Sequence, residues 1–177
     1  MMGKDTLKWT AYIAGGAMAV AFILPFVTRY GGTDDNGNDW QVTTGVNAVE
    51  ELARQNARGS FPVFIEALER TGADAEGFGV EVELRSKRGV PTAVWLENIN
   101  VSQNDMAGAL TVTPPGGLRG DLVKGDVTSF TRLQVLDWKY PEEGRWRGYF
   151  LLRVISRTFS QEEQARIRAS LHESPLP

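Results

Sequence analysis

The 177-residue chain is long enough for one domain plus an anchor and too short for two full domains. It has 19 Lys and Arg against 22 Asp and Glu; setting aside Lys4, Lys8, Arg29 and Asp5 leaves 16 against 21, an acidic balance that argues against general nucleic-acid binding. The absence of cysteine excludes disulfides, thiolate metal sites and cysteine nucleophiles, and a histidine triad or metal centre would have to use the single histidine, His172, where the expectation is a solvated tail residue.

The run from Thr10 to Val27 carries no charge. With Leu7, Trp9 and Tyr30 it reaches the ~20 residues that span a hydrocarbon core, so residues 1–30 read as a transmembrane anchor. A cleaved signal peptide is the rival reading, but Ala17-Met18-Ala19 falls in the middle of the apolar run rather than after it. Lys4 and Lys8 precede the run, while Arg29 and then Asp34, Asp35 and Asp39 follow it. That asymmetry predicts a cytoplasmic N-terminus and a periplasmic domain at a bacterial inner membrane. Ala11, Gly15 and Ala19 recur every four residues, a small-residue stripe that lets a second helix approach closely in lipid. The partners this implies are the lipid bilayer and an integral membrane protein.

Residues 31–43 are rich in Gly, Asp and Asn and read as a flexible spacer; residues 44–177 read as the soluble domain. Val46, Val49, Leu52 and Ala53 have helical spacing. Gly59 is expected to break that helix and Ser60 to cap a second, with Pro62 in its first turn and Gly72 after its end. From Phe78 to Leu84 apolar residues alternate with Gly79, Glu81 and Glu83, the pattern of a strand with one buried face. Further strands are expected at 90–101, 107–112, 127–130, 133–140 and 146–155, the last two joined by the turn at 141–145. Ser160 with Glu163 forms a capping box that opens a last helix reaching about Leu171. The predicted fold is α+β: a transmembrane helix, then a helix pair packed on one face of a bent antiparallel sheet of five or six strands, then a C-terminal helix.

Several short motifs occur in a fixed order: Trp95-Leu96; Gly108 and Leu110 ahead of Pro114-Pro115; Lys124-Gly125-Asp126-Val127; Leu136-Asp137-Trp138; and Gly148 with Leu151 and Arg153. In this order, from about Val46 to Ile155, the chain resembles the YegJ-like bacterial domains of unknown function. The resemblance implies a fold and a bacterial source without an established activity. Members of that family often carry an acidic-His pair just before the Trp; here Ala93-Val94 occupies the place, so a function needing that histidine is not implied. Some relatives resemble parts of toxin-immunity loci.

Candidate chemistry is sparse. Asp137, with Arg153 expected on the neighbouring strand, is either a ligand site or a buried structural pair. Glu142-Glu143 sits at a hairpin tip, where solvent keeps two carboxylates alike. Gly116-Gly117-Leu118-Arg119-Gly120 lacks the strand-to-helix context of a phosphate loop. Tyr140, Trp146 and Tyr149 crowd the hairpin beside Arg145 and Arg147, a composition suited to a protein interface. These features favour a non-catalytic, membrane-anchored accessory subunit without a cofactor or metal, binding its partners through Ala11, Gly15 and Ala19 and through Tyr140, Trp146 and Tyr149. The alternatives are an immunity-type protein that blocks a toxin in the periplasm, and a cell-envelope enzyme using carboxylates.

Overall fold

A computed structural model of the chain describes residues 48–72, 75–102 and 105–177. The expected anchor and spacer, with Ala11, Gly15 and Ala19, lie outside the described residues. Among the described residues no helix is long and apolar enough to cross a membrane.

The domain opens with one helix, α1 (Ala48–Thr71), rather than the expected pair. Gly59 does not break it, and Ser60 does not cap a new helix: its hydroxyl donates back to Asn56 O at 2.6 Å. Pro62 lies inside α1. Proline lacks the N–H that would serve the carbonyl four residues earlier, and that carbonyl, Arg58 O, accepts Arg132 Nη2 at 3.2 Å instead. A guanidinium from a distant turn thus supplies the missing donor, and the helix runs through. Its buried stripe is Ala53, Ala57, Phe61, Phe64, Ala67 and Leu68.

Six antiparallel strands follow: β1 (Gly79–Arg85), β2 (Pro91–Ser102), β3 (Asp105–Leu110), β4 (Val127–Phe130), β5 (Val135–Glu142) and β6 (Arg145–Gly148). Their order is β4-β3-β2-β1-β5-β6. Residues 132–134 form a 3-10 turn ahead of β5 rather than its first residues. The step from Phe130 to Val135 reaches at most about 17 Å, whereas four strand spacings in a flat sheet take about 19 Å. The sheet is therefore curled, as expected. The last strand stops early: Gly148 and Tyr149 both have positive φ (75° and 53°), and the chain turns into α2 (Phe150–Ile155) where a strand through 155 was expected. Helix α3 (Gln161–Ser170) closes the fold, with the Ser160–Glu163 capping box in place.

Both faces of the sheet are covered, which corrects the expectation of helices on one face. On one face Val80, Val82, Val94, Leu96, Trp138 and Tyr140 pack against α1. Trp138 is the hub: its ring centroid lies 5.9 Å from that of Phe64, 5.3 Å from Phe150 and 5.8 Å from Tyr140, and its indole N–H donates to Ala57 O at 2.9 Å. Each such side chain contributes about 1.5–3 kcal/mol by leaving water. On the other face Trp95 and Tyr149 meet Ile167 and Leu171 at the end of α3.

Candidate functional site

The second face carries polar groups under its aromatic cover. Strand register sets one row across the sheet: Glu97 opposite Gly79, Gly79 opposite Lys139, and Lys139 opposite Gly148. Lys139 thus has glycine on both sides. A Cβ on Gly79 would lie 2.7 Å from Lys139 Cε, so the missing side chain lets the lysine cross β1 and reach Glu97 at 3.0 Å. The Lys139 side chain is only 2% exposed, and its ammonium lies 5.4, 5.1 and 6.0 Å from the ring centroids of Trp95, Trp146 and Tyr149. One carboxylate and three π faces offset the desolvation of this charge.

The next row is Trp95, Glu81 and Asp137. Asp137 accepts three backbone N–H bonds: Trp138 at 2.8 Å and Phe150 at 3.0 Å on Oδ1, and Leu151 at 2.9 Å on Oδ2. It thereby satisfies the first free amides of α2 and fixes the turn out of β6. Burial pushes its carboxyl up to about 7, against the pull of the three amides and of the Arg153 charge.

Glu81 differs. The residue retains partial exposure, while protein surrounds its carboxyl. Burial first, and the neighbouring Asp137 second, push it up to about 8, with Arg54 opposing. The Tyr149 hydroxyl is pushed well above its usual value by burial and by Asp137, Glu97 and Glu81. Three carboxyls, a lysine and a phenol thus converge on one face.

The C-terminal segment roofs one side. It runs along β6, with Leu171 bridged in parallel to Trp146. His172 N–H donates to Trp146 O at 3.1 Å, and Gly148 N–H to Pro175 O at 2.9 Å. Arg147 Nη1 donates to Ser174 O (3.1 Å) and Leu176 O (2.7 Å). His172 is not a solvated tail residue: its side chain is 14% exposed and its Nε2 lies 2.7 Å from Glu142 O.

Arg153 sits on α2, not on a strand beside Asp137. Its Nε donates to Gly148 O at 2.8 Å and its Nη1 to His172 O at 2.8 Å, and no hydrogen bond or ion pair joins it to Asp137 among those of the described residues. Its charge acts on Asp137 only through space. Tyr140 and Tyr149 are 2% and 6% exposed; the first stacks on Phe78, and neither offers an outward ring. Trp146 is half-buried, edge-on to Tyr149. Sequence reasoning missed Glu81, Glu97 and Lys139, which alternation alone assigns to a solvated strand face; the signal was Asp137 and Lys139 two apart on the strand that also carries Trp138. Among the described residues no group of His, Asp or Glu is arranged to hold a metal ion.

No curated protein and no solved structure matches the chain. One family model covers residues 47–171, from the start of α1 to the end of α3. The chain belongs to that bacterial family, whose description reads "uncharacterized protein conserved in bacteria (DUF2314)".

Proposed function

We propose that this domain is a non-catalytic binding module, held in the periplasm at a bacterial inner membrane by residues 1–30, and an accessory subunit of a membrane protein complex. The closer likeness to YegJ-like domains belongs to the same reading. The observation that carries it is that the buried Asp137 and Lys139 are both tied to partners within the fold. Asp137 accepts backbone amides on both oxygens, Lys139 is held by Glu97, and Arg153 gives Nε and Nη1 to carbonyls while its buried Nη2 has no hydrogen-bond partner. Groups tied in this way fix a structure and are poorly placed to move protons in a reaction. Glu81 remains, a partly exposed residue opposite Trp95 and Asp137 in the sheet, and it suits a Lys or Arg side chain of a protein partner, whose charge would relieve the Glu81–Asp137 repulsion.

A second reading is an envelope enzyme working with carboxylates. It is favoured by Glu81 itself, since a carboxyl held at about 8 keeps the proton a general acid needs at neutral pH. Isolation of the full-length chain from its host in mild detergent separates the two. The binding reading expects a stoichiometric integral membrane protein, reduced by Glu81→Gln and by Gly15→Leu. Recovery of that protein unchanged in both variants refutes it. A turnover abolished by Glu81→Gln with the fold intact supports the enzyme.

A further inference from the structure

A strand at the edge of a sheet presents a row of unpaired N–H and C=O groups. On β6 that row is covered by the chain's own residues 172–176, which follow it with a bend over residues 173–175. The segment is held mainly by its carbonyls. His172 O and Glu173 O accept Arg153 Nη1 at 2.8 and 3.4 Å. Ser174 O and Leu176 O accept Arg147 Nη1 at 3.1 and 2.7 Å, and Pro175 O accepts Gly148 N–H at 2.9 Å. Two guanidiniums and one amide thus read every carbonyl from His172 to Leu176. Both guanidiniums are fixed from the domain side, Arg147 by Glu142 at 2.6 Å and Arg153 by Gly148 O at 2.8 Å.

Carbonyls are common to every peptide, so this way of holding a segment depends little on its sequence. Side chains add two contacts. The His172 ring places Nε2 2.7 Å from Glu142 O, where the nitrogen donates, and Leu176 packs against the main core. Glu173 and Ser174 are exposed. The fit is incomplete on the domain side: Arg153 Nη2 is buried without a hydrogen-bond partner, a costly state for a charged donor. The carboxylate of Glu173 does not fill it. The groove therefore holds one more donor than its resident segment uses.

We infer that the outer edge of β6 is a peptide-binding groove, in which residues 172–176 are a resident ligand that a segment of a partner protein displaces. The partner segment carries a hydrogen-bond donor at the place of His172, an apolar residue at the place of Leu176, and a carboxylate for Arg153 Nη2. The segment already seated there supplies the mode of binding, and the unfilled donor favours the exchange. On exchange, Trp146 O and Gly148 N–H pass from the resident to the newcomer. The inference rests on reading the domain as a binding module, and adds to Glu81 a second contact and its partner's chemistry.

The probe is a synthetic peptide with the sequence of residues 172–177, labelled with a fluorophore and titrated by polarisation against the full chain in non-ionic detergent. The tethered segment competes at an effective concentration on the order of 1 mM, so the unaltered chain should bind the probe weakly. Leu176→Ser in the chain weakens the resident and should raise the apparent affinity for the probe about five-fold. Adding Arg147→Gln or Arg153→Gln to that chain should lower it about ten-fold. An aspartate scan of the probe should find a position that binds about five-fold tighter, with the gain lost in Arg153→Gln; no such position overturns the assigned partner chemistry. Equal affinity in the unaltered and Leu176→Ser chains, or affinity indifferent to both arginines, overturns the groove. Amide exchange on the unaltered chain keeps the test decisive if Leu176→Ser unsettles the fold. With excess probe, His172 N–H should exchange faster while Gly148 N–H stays protected by the probe's carbonyl. Both amides accelerating, or neither responding, overturns the inference. Dimerisation of the unaltered chain that the probe dissolves also overturns it, and assigns the groove to a second copy. The titration reads the groove alone and the isolation from host membranes reads Glu81, so the two readings fail separately.

Discussion

Glu81→Gln replaces the carboxyl of this partly exposed residue with an isosteric group that cannot ionise. In the folded chain Glu81 is pushed from 4.5 to about 8 by burial and by Asp137. Between those two values the native state holds a proton that the unfolded chain releases, so this residue's contribution is fully present below 4.5 and is lost as pH rises through about 8. At about 1.4 kcal/mol per tenfold in proton affinity, that interval sets a ceiling of ~5 kcal/mol. Partial exposure screens the charge, and the expected difference is about 1–3 kcal/mol. Urea unfolding of the full chain in non-ionic detergent, followed by tryptophan fluorescence, measures it. Below the unfolded value the two proteins should have the same midpoint; above the folded value Glu81→Gln should be the more stable. Curves that stay parallel through the whole window would refute the reasoning, as would a wild type that gains on the variant with rising pH.

The Lys139–Glu97 pair is asymmetric, and its two halves should fail differently. Glu97→Ala leaves an ammonium buried among three rings and should cost about 3 kcal/mol. Lys139→Met keeps the packing and leaves Glu97, whose side chain is 34% exposed, to water, for a cost within about 1 kcal/mol. Urea midpoints in the reverse order would contradict the burial argument. Gly148→Ala adds a Cβ that meets Trp138 O and its ring at a φ of +75°, and should cost about 3 kcal/mol or more; loss of the near-UV dichroism of Trp138 alongside an early midpoint checks it.

What could be read from the sequence was local. The alternation from Phe78 to Leu84 became β1, and the Ser160–Glu163 box opened α3 where its spacing said it would. Elements were misjudged where distant residues decide. Gly59 and Pro62 look like a helix boundary until Arg132, 74 residues away, supplies the donor that Arg58 O lacks. The run from Trp146 to Ile155 looks like one strand, and only Asp137 beneath it, with Gly148 free to adopt positive φ, turns it into α2. Asp137 was legible as a conspicuous residue but not as the acceptor for that helix. Glu81 and Lys139 were hidden for a related reason: alternation assigns them to a second sheet face, and what covers that face comes from Ile167 and Leu171 in a mostly charged helix near the C-terminus.

Site-specific photo-crosslinking in the native host tests the central claim most directly. A photoreactive phenylalanine replaces the half-buried Trp146, beside Lys139 and Tyr149, in the full-length chain. Binding of a membrane protein partner at Glu81 predicts one crosslinked adduct with an integral membrane protein, lost when Glu81→Gln is combined with the probe. The claim is contradicted if Trp146 gives no adduct, or gives one that Glu81→Gln leaves at full yield.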